Sequence, residues 1–167
     1  DESNNVYNGD GRGIGIAIDL GTTTIAIEQI DMSDGSVTDR CGFMNPQIEY
    51  GSDVISRIRT GSTEDGLTKL RSSVVTRISS ELAGMGDAPA DISRIIISGN
   101  TTMNAILERL LLDNLGHAPF EIRNPDSITV SGKDFFDDER FCSAEVTCLP
   151  NLSAFVGADA LCGAVVC

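Results

Sequence analysis

The chain has 167 residues and a formal net charge of −13, which excludes DNA or RNA as a default partner because phosphate backbones attract Lys/Arg surfaces. Local backbone N–H groups can still hold a nucleotide, so nucleotide binding is not excluded. With 41% hydrophobic and 22% charged residues the chain can bury one ordinary core, no apolar run approaches the ~20 residues of a membrane span, and no basic stretch precedes an apolar segment as in a signal peptide.

Residues 1–12 are rich in Asn, Asp and Gly and lack periodicity, which predicts a flexible linker. Ile14, Ile16 and Ile18 then alternate with small residues, predicting a strand over 13–20. A second strand is expected over 24–30, joined to the first by the tight turn Gly21-Thr22-Thr23. Asp34-Gly35 is a hairpin signal, so a third antiparallel strand follows over 37–43. Val54, Ile55 and Ile58 predict a helix over 50–59, ended by Gly61. Leu67, Leu70, Val74, Ile78 and Leu82 recur at helical spacing and predict a helix over 63–83, with Ser62 as its N-cap. Ile95-Ile96-Ile97 reads as a strand buried on both faces. After Gly99-Asn100, the apolar positions Met103, Ile106, Leu107, Leu110 and Leu111 predict a helix over 101–112. Residues 116–139 read as loop with a short strand over 127–130, residues 146–149 as a last strand, and 157–166 as a final helix. An antiparallel opening followed by helix-separated strands is an α/β pattern, a mixed sheet with helices on its faces.

The five cysteines, Cys41, Cys142, Cys148, Cys162 and Cys167, show no Cys-x-x-Cys spacing. They are read as reduced thiols of a cytoplasmic protein rather than a disulfide framework or a zinc ribbon. The chain starts at Asp1 and ends in an apolar stretch without a cap, from which a piece of a longer chain is expected.

The strongest chemical signal is Ile16-Ala17-Ile18-Asp19-Leu20-Gly21-Thr22-Thr23-Thr24. An acidic residue ends a buried strand, and a Gly-Thr-Thr turn offers backbone N–H groups and two hydroxyls to one spot, a nest for phosphate oxygens. Gly21 permits close approach and a positive φ. Asp19 cannot attract phosphate itself, but it can hold Mg²⁺ against phosphates, directly or through water. The bland reading is a plain hairpin whose Asp accepts turn hydrogen bonds.

This stretch resembles the first phosphate motif of the acetate and sugar kinase, heat-shock chaperone and actin superfamily, which joins the first two strands of an RNase H-like sheet. Residues 152–163, with small residues at Gly157, Ala158, Ala160 and Gly163, look like that superfamily's first connecting motif. A narrower resemblance rests on four blocks. They are Asn45-Pro46-Gln47 with residues 50–58, Gly99-Asn100-Thr101-Thr102-Met103, Leu115-Gly116-His117-Ala118-Pro119-Phe120, and residues 149–159. In order, they resemble the family of reductive activators of corrinoid proteins, from about Gly13 to the end of the chain.

That resemblance implies an actin-like ATPase fold and residues 13–167 as the first of two lobes, cut before the second. It implies ATP and Mg as cofactors, with Asp19 on Mg through water, Gly21, Thr22, Thr23 and Asn100 on the phosphates, and Asp159 beside the metal or the attacking water. It implies a corrinoid protein as partner, whose cobalt(II) is reduced to cobalt(I), and an iron–sulfur domain upstream, here absent along with its cysteine cluster. A homodimer is left open, and no membrane or nucleic-acid partner is implied. The isolated lobe is expected to be inactive in hydrolysis.

Simpler accounts stand beside these roles. Asp159 can serve as a helix N-terminal charge, and Asn100 suits turns and caps. Asp53 and Arg57, at i,i+4, can pair across a helix face. His117, the only histidine, sits beside Gly116 and Pro119 as in a surface turn; Met103 fits a core; Asp134 to Glu139 fits a solvated loop. The alternatives in function are a kinase or dehydratase activase of the same superfamily, or a non-catalytic actin- or chaperone-like module. Dehydratase activases carry a Lys shortly after the Thr loop, where this chain has Ile25-Ala26-Ile27.

Overall fold

In the computed structural model, residues 13–116 and 126–150 are described. The expectations for the linker, His117, Asp159, Cys162, Cys167 and the last helix lie outside these residues. The elements in chain order are β1 (Ile14–Leu20), β2 (Thr24–Asp31), β3 (Val37–Met44), α1 (Val54–Thr60), α2 (Glu64–Gly84), β4 (Ile92–Gly99), α3 (Thr101–Leu107), α4 (Asp113–Gly116), β5 (Ile128–Ser131), α5 (Gly132–Phe136) and β6 (Glu145–Cys148).

One six-stranded sheet runs in the order β3-β2-β1-β4-β6-β5. The first three strands are antiparallel neighbours, β1 pairs parallel with β4, β4 parallel with β6, and β5 closes the edge antiparallel to β6. This is the mixed α/β arrangement that the opening hairpins and later helix-separated strands predict, and the RNase H-like one that the resemblance implies. Ile16, Ile18 and Leu20 of β1, Ile25 and Ile27 of β2, and Ile95 and Ile97 of β4 all point to one buried face. Leu70, Val74, Ile78 and Leu82 of α2 and Met103 and Ile106 of α3 cover it. Each such side chain contributes about 1.5–3 kcal/mol through burial. Among the described residues no helix is long and apolar enough to cross a membrane.

The described helices form a connected layer around α2 on that buried side, and among the described residues the other face of the sheet is open. β4 was expected to be buried on both faces, yet Ile96 is 37% exposed between the fully buried Ile95 and Ile97. On this open face Ala17, Asp19, Ala26, Glu28, Ile96 and Ser98 line a shallow cavity of about 340 Å³.

Several element ends differ from expectation for local reasons. The helix α1 starts at Val54 because a 3-10 turn over Pro46–Glu49 comes first and Asp53 forms a capping box with Ser56. The N-cap of α2 is Thr63, whose hydroxyl accepts from Gly66 N–H at 3.2 Å. Ser62 instead donates to the carbonyl of Ile58, tying it to the preceding helix. Glu108 caps α3 well short of the expected end at residue 112, and Arg109 takes φ 59°. There Arg109 N–H donates to Ile106 O and Leu110 N–H to Ala105 O, a Schellman closure with arginine where glycine is usual. The supposed loop before β6 contains α5, which buries Phe135 and Phe136, and a 3-10 turn over Glu139–Phe141, which buries Phe141.

Candidate functional site

The parallel register brings the C-terminal ends of β1, β4 and β6 side by side. Asp19 faces Ser98 and Leu20 faces Gly99, while Leu149, just past β6, donates its N–H to Ile97 O at 2.9 Å. In α/β sheets ligands bind at this carboxyl end of the strands. Here it holds Asp19 on the open face, the Gly21-Thr22-Thr23 connection above it, and the β4–α3 junction at Asn100.

The connection is held from beneath by residues far away in sequence. Asn45 Nδ2 donates to Gly21 O at 2.9 Å, and Asn45 N–H to Thr23 O at 2.8 Å. The Arg57 guanidinium donates to Thr22 O at 2.7 Å. Arg57 is fully buried, and its other donors go to Gly51 O at 2.9 Å, Gln47 Oε1 at 3.1 Å and the Met103 sulfur at 3.5 Å. Gln47 Oε1 also accepts from Asn45 Nδ2 at 3.2 Å, and Gln47 Nε2 donates to Leu70 O at 3.1 Å. A buried cation with no carboxylate in hydrogen-bond reach among the described residues is costly, and burial pushes the Arg57 guanidinium down from its usual range, with the Asp53 charge opposing. Carbonyl and amide dipoles compensate instead.

Asn100 links the connection to the next strand. Its Oδ1 accepts from Met103 N–H at 3.1 Å as the N-cap of α3, and its Nδ2 donates to Thr22 Oγ1 at 3.0 Å. With one lone pair of Thr22 so engaged, the hydroxyl proton is directed elsewhere. Gly21 is required by close approach: a Cβ there would lie 2.5 Å from Thr24 O. The positive φ expected of it is not adopted; among the described glycines Gly13 and Gly35 have it.

Asp19, Gly21, Thr22, Thr23 and Asn100 are therefore brought together, and Asp159 lies outside the described residues. The pairing expected between Asp53 and Arg57 does not form. Asp53 accepts from Ser56 N–H at 2.8 Å, which lowers its carboxyl pKa, and Arg57 turns inward. Met103 is core, as expected, with its sulfur against Arg57. The acidic stretch is not one solvated loop: Asp134 accepts from Ser131 and Asp138 from Arg140, and Phe135 and Phe136 between them are buried. Cys41, Cys142 and Cys148 are free thiols, burial pushes Cys148 up to about 12, and among the described residues no group of His, Cys, Asp and Glu gathers to hold a metal. Sequence reasoning missed Glu28 and Ser98 as neighbours of Asp19. Strict alternation opposite Ile25 and Ile27 places Glu28 there, and the parallel register places Ser98.

The profile of the RACo middle region family matches residues 14–167. The chain belongs to the RACo middle region family. A curated relative, the corrinoid activation enzyme RamQ of Eubacterium limosum, is 31% identical over 150 residues, 87% of this chain and 25% of RamQ. A solved structure described as a reductive activator for corrinoid, iron–sulfur protein superposes with a TM-score of 0.83 at 28% identity, covering 94% of this chain and 26% of that one. The chain thus spans about a quarter of the length of each of these two relatives.

Proposed function

We propose that this chain is the first lobe of an ATP-dependent activator of corrinoid proteins, and that the Gly21–Thr23 connection receives the phosphates. The observation that carries the reading is the juxtaposition of Asp19, at the carboxyl end of β1, with a turn whose carbonyls at Gly21 and Thr22 face the buried Asn45 and Arg57. One carboxylate beside phosphate donors is the kind of protein ligand Mg²⁺ uses when phosphates and water complete its shell. Asp19 would hold that ion, Thr22 and Thr23 would donate to phosphate oxygens, and Asn100 would steady Thr22. Asp159 would orient the Mg²⁺ ion or the attacking water. The names of RamQ and of the superposed activator support a corrinoid protein as partner.

ATP supplies hydrolysis energy, and the reaction it serves is delivery of one electron to cobalt(II), giving cobalt(I). The electron would come from an iron–sulfur domain upstream, and a second lobe downstream would complete the nucleotide site. The test is ATP hydrolysis and cobalt reduction by the full-length protein, with and without a corrinoid protein, beside an Asp19→Ala variant. Corrinoid-dependent turnover that drops about 100-fold or more in the variant is expected. Equal turnover in the variant sinks the assignment of Asp19, and indifference to corrinoid sinks the activator reading.

A further inference from the structure

We infer that Arg57, assisted by Asn45, is a positioning residue: it sets the direction in which the Gly21–Thr23 connection presents its N–H groups. This rests on the phosphate reading of that connection. In a trans peptide the N–H points opposite to the preceding carbonyl. Gly21 O is engaged by Asn45 Nδ2 at 2.9 Å and Thr22 O by the Arg57 guanidinium at 2.7 Å, and both donors are on fully buried residues. The N–H groups of Thr22 and Thr23 are thereby turned away from the interior. Neither donates to another described residue.

Only a planar fork suits this place. Arg57 reaches Thr22 O, Gly51 O and Gln47 Oε1 at once, at 2.7, 2.9 and 3.1 Å. A lysine ammonium is a single point on a flexible stem and cannot span all three. Gln47, anchored on Leu70 O at 3.1 Å, fixes one edge of the guanidinium, and the Met103 sulfur lies against it at 3.5 Å. The connection from β1 to β2 is therefore oriented by α1, by the turn before it and by α2. Its own three residues do not set that orientation.

The test compares Arg57→Lys with Ile58→Val in the full-length protein. Ile58 is the buried neighbour on α1 and its aliphatic side chain has no hydrogen-bond donor for the carbonyls of the connection, so its variant is a control for general loosening of that helix. Calorimetry with Mg–ATP and, separately, with adenosine reads the effect on the phosphates alone. Arg57→Lys is expected to weaken Mg–ATP about tenfold or more and to leave adenosine unchanged, because misplaced donors penalise only the groups they meet. Ile58→Val is expected to leave both unchanged. A crystal structure of Arg57→Lys should show the Thr22–Thr23 peptide turned from the orientation described above. An unmoved peptide overturns the inference, as does an equal loss for ATP and adenosine. Wild-type protein that fails to bind Mg–ATP overturns the phosphate reading instead, and the peptide orientation in the variant crystal still decides the role of Arg57.

Discussion

Strand β2 is flanked by two tight connections that solve the same geometric problem in opposite ways. The one to β3 closes on itself. Asp31 N–H donates to Ser36 O at 2.9 Å and Gly35 N–H to Asp31 O at 2.8 Å, while the Asp31 and Asp34 carboxylates accept from Ser33 and Ser36 N–H at 2.8 Å each. Gly35 takes φ 76°, and no atom lies within 4 Å of where its Cβ would be. The connection from β1 is not closed locally in this way. Its carbonyls are bonded by Asn45 and Arg57, and Thr22 Oγ1 by Asn100, so its partners lie 24, 35 and 78 residues away. A turn that satisfies itself has few polar groups left for a ligand. A turn supported from outside can keep its N–H groups for one, and it depends on distant residues for its shape.

The largest effect that can break this contrast is loss of the support. Arg57→Met keeps much of the side-chain volume but strands two part-buried acceptors, Thr22 O and Gly51 O, while Gln47 Oε1 keeps the Asn45 amide. At about 1–3 kcal/mol for each stranded group, the unfolding free energy should fall by roughly 2 kcal/mol or more. Urea unfolding measures it, and a loss below about 1 kcal/mol would show that the guanidinium is not the support described.

The two glycines sharpen the contrast at a smaller scale. Gly21→Ala drives a Cβ to 2.5 Å from the backbone oxygen of Thr24, so the connection must shift, at a cost of about 1–3 kcal/mol. Gly35→Ala meets nothing and loses only what its left-handed backbone costs, about 1 kcal/mol. Mg–ATP affinity should collapse in the first variant and stay at the wild-type value in the second. Equal affinity losses would erase the distinction between a functional and a structural turn.

The same contrast explains what could be read in the sequence. Asp34-Gly35 announces its turn because the chemistry that closes it lies within the turn. The alternation through Ile14, Ile16 and Ile18 and the spacing from Leu67 to Leu82 are equally local, and they place β1 and α2 to within a residue or so. Asp19-Leu20-Gly21-Thr22-Thr23 is legible as a candidate nest for the same reason. The roles of Asn45, Gln47 and Arg57 are not, since nothing near them in the chain shows that they meet Gly21 and Thr22. Only the family resemblance singled them out as a block, and local logic paired Arg57 with Asp53 instead. The end of α3 fails differently: Leu110 and Leu111 keep the apolar rhythm, while Arg109 in a left-handed conformation stops the helix.

The smallest expected effect separates the two connections by pH. The Asp34 carboxylate accepts from Ser36 N–H, and this bonding holds its pKa below the ordinary 3.8. A carboxyl with a depressed folded-state pKa adds stability above its unfolded-state value, and that contribution is lost as pH falls through the folded-state value. An amide at this position cannot carry that charge, so wild-type and Asp34→Asn proteins should differ by a constant amount above about pH 5. The difference should shrink to nothing as the solution is acidified below 3.8. Because Asp34 is exposed, the difference is small, and urea midpoints at closely spaced pH values are needed to see it. The supports of the other connection are the neutral amides of Asn45 and Gln47 and the charged Arg57, and a lysine in place of Arg57 keeps the same charge toward the nearby Asp53 carboxylate. Arg57→Lys and wild-type protein should therefore differ by the same margin from about pH 5 to about pH 3, whereas the Asp34→Asn difference fades. A margin for Arg57→Lys that fades in parallel would mean that the connection at Gly21 leans on a carboxylate after all.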